Sequence, residues 1–133
     1  MIRYESIMIG DWVLVEGTPR KVESITKKKI GFHIHEDKKR LYYARLCEVF
    51  PIEINDYILR TSGFVVDETE KKTTAYFDND KMRIDVFIFK KEYDYQVAMK
   101  DKETYSNYVG ETKYVHQLQH AFKLCGIKFD VKL

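Results

Sequence analysis

Lys113-Tyr114-Val115-His116-Gln117-Leu118-Gln119-His120-Ala121-Phe122-Lys123-Leu124-Cys125-Gly126 is the clearest amphipathic helix in a chain that otherwise reads as strands. Val115, Leu118, Phe122 and Cys125 recur at i, i+3, i+7 and i+10, and Tyr114 and Ala121 widen the same apolar stripe. Thr112 precedes the run as a candidate N-cap, and Gly126 follows it as a left-handed stop. A helix with one apolar face needs a sheet to cover, so the fold class expected is α+β, mostly antiparallel β. After the helix, Ile127-Lys128-Phe129-Asp130-Val131 alternates as an edge strand would.

Upstream of the helix lie Phe64–Val66, Thr73–Phe77, Arg83–Phe89, Tyr93–Met99 and Thr104–Val109, all rich in β-branched and aromatic residues. The links between them are short and polar, as antiparallel hairpins require, so a β-meander covered by the C-terminal helix is expected. In Ile84-Asp85-Val86-Phe87-Ile88-Phe89 one face is wholly apolar and the other mixed, which predicts a central strand. Asp78, Asn79, Asp80 and Asp85 gather hard oxygen donors, but they lack the spacing of a calcium loop and read as a polar hairpin turn.

The first fifty residues repeat the strand–turn rhythm at smaller scale. Asp11–Glu16 and Arg20–Thr26 are joined by Gly17-Thr18-Pro19, and Ile30–Ile34, Leu41–Ala44 and Leu46–Phe50 follow. Five short strands in this span predict an SH3-like small barrel, or a strongly bent sheet, over residues 1–50. Pro51 then marks a boundary. Asn55 is placed to cap a helix from Asp56 to Thr61 or Ser62, and Gly63 with Phe64 has the pattern of a Schellman ending. This linking helix, within residues 51–63, is expected to lie against the barrel through Ile54, Ile58 and Leu59. Residues 64–133 form the meander and its helix, or share one domain with the first part.

The order Ile9-Gly10-Asp11-Trp12-Val13, Pro51-Ile52, Ile58-Leu59, Gly63-Phe64 and Tyr114-Val115-His116-Gln117-Leu118-Gln119 resembles a family of short uncharacterised proteins from gut anaerobic bacteria and their phages. The helix, with Leu124-Cys125-Gly126 after it, is the most specific part of the resemblance. It implies a setting in mobile genetic elements and carries no activity and no catalytic residue.

Charge narrows the function classes only a little. Residues 1–50 hold 10 Lys or Arg against 7 Asp or Glu, so a net +2 over the chain divides into +3 there and −1 in the rest. That bias is too weak to demand a polyanion, and it makes the N-terminal part the place to look for one. Lys27, Lys28 and Lys29 and then Lys38, Lys39 and Arg40 stand in the turns on either side of the Ile30–Ile34 strand, with Phe32, Tyr42 and Tyr43 nearby. Basic turns bracketing aromatic strands can hold a nucleic-acid backbone and stack its bases, and charged turns also simply block edge pairing. Lys27, Lys28, Lys29, Phe32, Lys38, Lys39, Arg40 and Tyr42 are the candidate nucleic-acid-binding residues.

No catalytic set is legible: there is no nucleophile elbow, phosphate-cradling glycine loop or dinucleotide fingerprint. His116 and His120 have metal-ligand spacing, but without the glutamate of His-Glu-x-x-His they read with Lys123 as the helix's polar face, so no metal and no cofactor are expected. Cys47 and Cys125 read as reduced core residues. The first residues lack an uninterrupted apolar segment and no run approaches the ~20 apolar residues of a membrane span, so a cytoplasmic protein without a membrane partner is expected. Tyr93, Tyr95, Tyr105 and Tyr108 suit an interface on outer strands, such as a homodimer. The expected function is a non-enzymatic accessory protein acting through a protein-binding surface, with nucleic-acid binding through the N-terminal basic turns as the alternative.

Overall fold

A computed structural model of the chain describes residues 2–34, 38–68, 72–78, 82–89, 94–101, 106–111, 113–124, 126 and 128–133. The fold is α+β, and every strand pair described is antiparallel. The chain divides into two compact units: Met1–Glu53 with Tyr114–Gln119, and Ile54–Lys113 with His120–Leu133. Among the described residues no helix is long and apolar enough to cross a membrane.

The first unit holds β1 (Trp12–Val15), β2 (Thr18–Lys21), β3 (Ser24–Ile25), β4 (Lys29–Phe32), β5 (Tyr42–Arg45) and β6 (Val49–Pro51). They form two three-stranded sheets, ordered β2-β1-β6 and β3-β4-β5. Glu16 (φ 50°) and Gly17 (φ 73°) both take positive φ between the paired Val15 and Thr18, the signature of a type I′ hairpin. The turn therefore lies one residue earlier than Gly17-Thr18-Pro19. Pro19 is accommodated inside β2 because this is an edge strand, where an absent N–H removes no ladder bond.

The run Arg20–Thr26, expected as one strand, is divided between the two sheets. The Val22 N–H donates to the Asp11 carbonyl at 2.8 Å, whereas the next N–H, of Glu23, donates to the Gly31 carbonyl at 2.8 Å. Consecutive residues thus serve different sheets. Leu46–Phe50 is likewise not one strand: Leu46–Glu48 is a 3₁₀ turn, and β6 begins at Val49.

Inward residues of both sheets share one aliphatic core. Val13, Val22, Ile30 and Val49 are fully enclosed, with Ile2, Ile7, Val15, Phe32 and Ala44 around them. Strand alternation produces this: in β1 Val13 and Val15 are buried while Trp12 and Leu14 are half-buried. Gly31 is required by a close approach, since a Cβ there would stand 2.9 Å from Leu41 Cδ2 and closer still to Ser24 Oγ. Asp11, only 2% exposed, accepts the Met8 N–H on Oδ2 at 2.7 Å and so closes the turn that leads into β1.

The second unit holds α1 (Asp56–Thr61), β7 (Val65–Glu68), β8 (Lys72–Asp78), β9 (Met82–Phe89), β10 (Asp94–Asp101) and β11 (Ser106–Glu111), and α2 (Val115–Leu124) continues into it. Both ends of α1 follow from local chemistry. Asn55 Oδ1 accepts the Ile58 N–H at 2.9 Å. At the other end the Phe64 N–H donates to the Leu59 carbonyl at 3.0 Å and the Gly63 N–H to the Arg60 carbonyl at 3.3 Å, with Gly63 at φ 96°, a Schellman motif. The helix belongs to this unit and packs beside β7, not to the N-terminal sheets it was expected to bridge.

The sheet is a five-stranded meander, β11-β10-β9-β8-β7, with β9 in the middle as its pattern predicted. A register shift between Val97 and Ala98 marks a bulge opposite β11. Phe64, Phe77, Phe122 and Phe129 form an aromatic cluster with ring centroids 3.9–5.9 Å apart, mostly edge to face. The segment expected as an edge strand after α2 pairs with nothing over residues 128–133. Instead the Lys132 N–H donates to Ser62 Oγ at 3.1 Å and its carbonyl accepts from Thr61 Oγ1 at 2.9 Å, so side chains at the end of α1 hold it.

α2 differs from its expected role in one respect. Phe122 and Ala121 do serve the meander's unit, but Val115 and Leu118, equally buried, belong to the first. The helix starts at Val115; Gln117 Oε1 accepts the Tyr114 N–H at 3.1 Å and supplies half of a capping box. Thr112, Cys125 and Ile127 lie outside the described residues.

Candidate binding cleft

The β1–β2 hairpin places Trp12 across from Lys21 and Leu14 across from Pro19, and the bend after Val22 brings Glu23 next in line. His33, Ile34 and Lys38 arrive from the connection that leaves β4. Together Trp12, Pro19, Arg20, Lys21, Glu23, His33, Ile34 and Lys38 line a cleft of about 260 Å³ within the first unit. Three fixed positive charges face one negative there. Ile34, 41% exposed, and the half-buried Trp12 give it apolar walls.

Several contacts fix this geometry. The Arg20 guanidinium lies 5.6 Å from the Phe32 ring centroid, and that of Arg40 lies 5.0 Å from Tyr42. His33 Nδ1 donates to the Arg40 carbonyl at 2.8 Å, which sets the tautomer of the neutral ring. Lys38 adopts a left-handed backbone (φ 49°), a conformation that costs a lysine about 1–2 kcal/mol. The Trp12 backbone is anchored from the helix: its main-chain N–H donates to Gln119 Oε1 at 3.0 Å, and Gln119 Nε2 donates to the Gly10 carbonyl at 3.1 Å.

The sequence-predicted nucleic-acid residues do not come together as one surface. Lys27, Lys28 and Lys29 occupy the β3–β4 turn, where Thr26 Oγ1 accepts the N–H groups of Lys28 (3.4 Å) and Lys29 (3.1 Å). Lys38, Lys39 and Arg40 lie at the opposite end of β4, at least roughly 10 Å away along the strand. Only Lys38 of the six lines the cleft. Phe32 is unsuited to base stacking: at 6% exposed it closes the core, paired in register with Tyr42. Tyr42 is half-buried on the same core, whereas Tyr43 is 54% exposed with the Lys29 ammonium 4.1 Å from its ring centroid. Trp12, Pro19, Arg20, Lys21, Glu23, His33 and Ile34 were missed. The hairpin register would have found most of them, had the turn been placed at Glu16-Gly17.

His116 is 2% exposed, its ring stacked parallel to Tyr114 at 5.9 Å, so it is not part of a polar helix face. The reason is positional: it sits at the start of α2, where Ile52 and Glu53 pass, the Ile52 carbonyl accepting the Val115 N–H at 2.9 Å and Glu53 bridging to Tyr114. Ile2, Arg3, Ser6, Pro51, Tyr114, His116 and Gln117 line a smaller open hollow of about 200 Å³ there. His120 is half-buried and Lys123 exposed. Among the described residues no three His, Cys, Asp or Glu side chains are grouped to hold a metal ion. Cys47 is exposed instead of buried, because it falls in the 3₁₀ turn and not in a strand.

That turn is tied by Arg45 and Glu48. Arg45 Nη2 approaches Glu48 Oε1 at 2.6 Å, and Glu48 Oε2 accepts the Arg45 N–H at 3.0 Å. The hydrogen bond from the Arg45 side chain, with that from its backbone, holds the Glu48 carboxyl below the usual range. Of the expected interface tyrosines, Tyr93 and Tyr105 lie outside the described residues. Tyr95 stands on β10, which β9 and β11 flank, so it is not on an outer strand; Tyr108 is on the edge strand β11. No protein-family model, curated protein or solved structure matches the chain.

Proposed function

We propose that the chain is a non-enzymatic accessory protein that binds another protein, and that its first unit is the binding module. One observation carries this: residues from three stretches of chain converge on a single concave site with an indole, an exposed isoleucine and an excess of positive charge. A concavity with apolar walls and a few placed charges suits binding. We read the first unit as an SH3-like small barrel; its two three-stranded antiparallel sheets on one core, with the chain passing between them at Val22–Glu23, support that reading. The resemblance to short proteins of gut anaerobic bacteria and their phages supports a mobile genetic element as the setting.

The excess of Arg20, Lys21 and Lys38 over Glu23 selects an acidic partner. Single-stranded nucleic acid is the second reading, favoured by an indole set among three cations in the same cleft. Fluorescence anisotropy with labelled acidic peptides and labelled oligonucleotides, at rising salt, separates the two. Charge reversal at Arg20, Lys21 and Lys38 is expected to weaken the true ligand about tenfold or more, whereas Lys27, Lys28 and Lys29 changed to glutamine leave a cleft-bound peptide within about twofold. Binding that survives the first set and fails with the second would move the site to the β3–β4 turn.

A further inference from the structure

Resting on that reading, we infer that the cleft receives an extended acidic segment in which a large apolar side chain is flanked by carboxylates, and that side chains read it without strand addition. The edge of the sheet comes first. β2 is the open edge of its sheet, beside the cleft. Val22 bonds inward to Asp11, and the ladder's alternation turns Arg20 and Thr18 inward as well, leaving Pro19 and Lys21 outward. Pro19 has no N–H, and after Lys21 the chain leaves for the other sheet, where the Glu23 N–H is committed to Gly31. An incoming strand finds a single outward donor, that of Lys21. Strand addition, which draws affinity from repeated main-chain bonds, is therefore blocked.

Size comes second. A cleft of about 260 Å³ falls just below the ~300–1,000 Å³ of ordinary ligand pockets and suits one large side chain between Trp12 and Ile34. Placement of charge comes third. Arg20 offers a planar fork, held over Phe32, that matches a carboxylate, and Lys21 and Lys38 add point charges on the rim. These cations surround a hollow and do not form a track: Lys27, Lys28 and Lys29 lie at the far end of β4, and Glu23 interrupts the rim. A phosphate backbone wants a continuous path, and an acid-flanked apolar residue wants this arrangement.

The test uses the full chain and labelled peptides with the core Asp-Glu-Phe-Asp-Glu. Changing the peptide's Phe to Ala, or its acids to amides, is expected to weaken binding about tenfold or more, whereas methylating its backbone nitrogens changes affinity less than about twofold. On the protein side, Arg20→Glu and Lys38→Glu abolish binding, as does Ile34→Asp, an exposed position chosen in case Trp12→Ala unfolds the chain. Peptide binding that is lost with the cleft variants yet ignores Phe→Ala, or that disappears on backbone methylation, overturns the inference and leaves the cleft as the site. An oligothymidylate that binds through the cleft while the peptide does not overturns it in favour of nucleic acid. Peptide binding unaffected by all three variants, or no binding by any probe, overturns the cleft reading itself.

Discussion

In the first unit Tyr43 lies at the surface beneath the Lys29 ammonium, Tyr42 beside the Arg40 guanidinium and Trp12 in the cleft, while the core is aliphatic apart from Phe32. In the second unit Phe64, Phe77, Phe122 and Phe129 meet one another inside. Two small sheets facing each other can be filled by Val and Ile, whose branched side chains suit a pleated surface. Where α1, α2 and the C-terminal segment meet a sheet, larger rings fill the volume, and edge-to-face contact adds to their burial. Those phenylalanines of the second unit thus pack against one another, whereas Tyr43 of the first stands exposed and Tyr42 and Trp12 are half-buried, a difference that composition averages away.

The largest expected effect lies in the aromatic cluster. Phe122→Ala removes a ring that touches three others and should cost about 3–5 kcal/mol in urea unfolding. A loss below about 1 kcal/mol would break the comparison, because the cluster would then be incidental to the second unit's stability. Gln119→Leu tests the surface side of it. The substitution leaves the Trp12 N–H and the Gly10 carbonyl without the bonds they now make, at about 1–3 kcal/mol, and should raise hydrogen exchange at the Trp12 amide before that of Val13. Unchanged exchange would mean the backbone at the start of β1 does not depend on the helix.

Smaller effects sharpen the picture. Gly63→Ala forces a side chain into φ 96° and should cost about 1–2 kcal/mol without altering cleft binding, a control that separates stability from recognition. The smallest effect is electrostatic. The Glu48 carboxyl, lowered by Arg45, should titrate below other exposed glutamates by NMR and return to the ordinary range in Arg45→Gln. Because its folded pKa is the lower one, whatever stability the pair adds is present above the unfolded glutamate's pKa and fades as pH falls through the folded value. A normal titration midpoint for Glu48 would remove the ion pair from solution.

Where a structural decision is local, the residues show it. Asn55 and Gly63-Phe64 delimit α1 because caps are satisfied by side chains and backbone within a few positions, and the apolar face of Ile84, Val86 and Ile88 marks β9 as central. Decisions that depend on register were hidden. Either Glu16-Gly17 or Gly17-Thr18-Pro19 satisfies turn chemistry, and only pairing of Trp12 with Lys21 selects the first. The bend at Val22–Glu23 carries neither Gly nor Pro, so nothing in the run announces it. Phe32 and Tyr43 look alike as strand aromatics, yet one faces the core and the other the solvent. The cleft inherits all three ambiguities, which is why its residues were not assembled from the sequence.

Gln119 also sets a clock. Its bond to Trp12 spans 107 positions, and the segment Tyr114–Gln119 is the last piece of a unit whose other residues all precede Ile54. At about 5–20 residues per second of synthesis, Trp12 waits roughly 5–20 s for this partner, with β1 already made. The first unit is thus completed only after the second unit's sheet has been synthesised, and until then the Trp12 backbone stays without the helix's anchor.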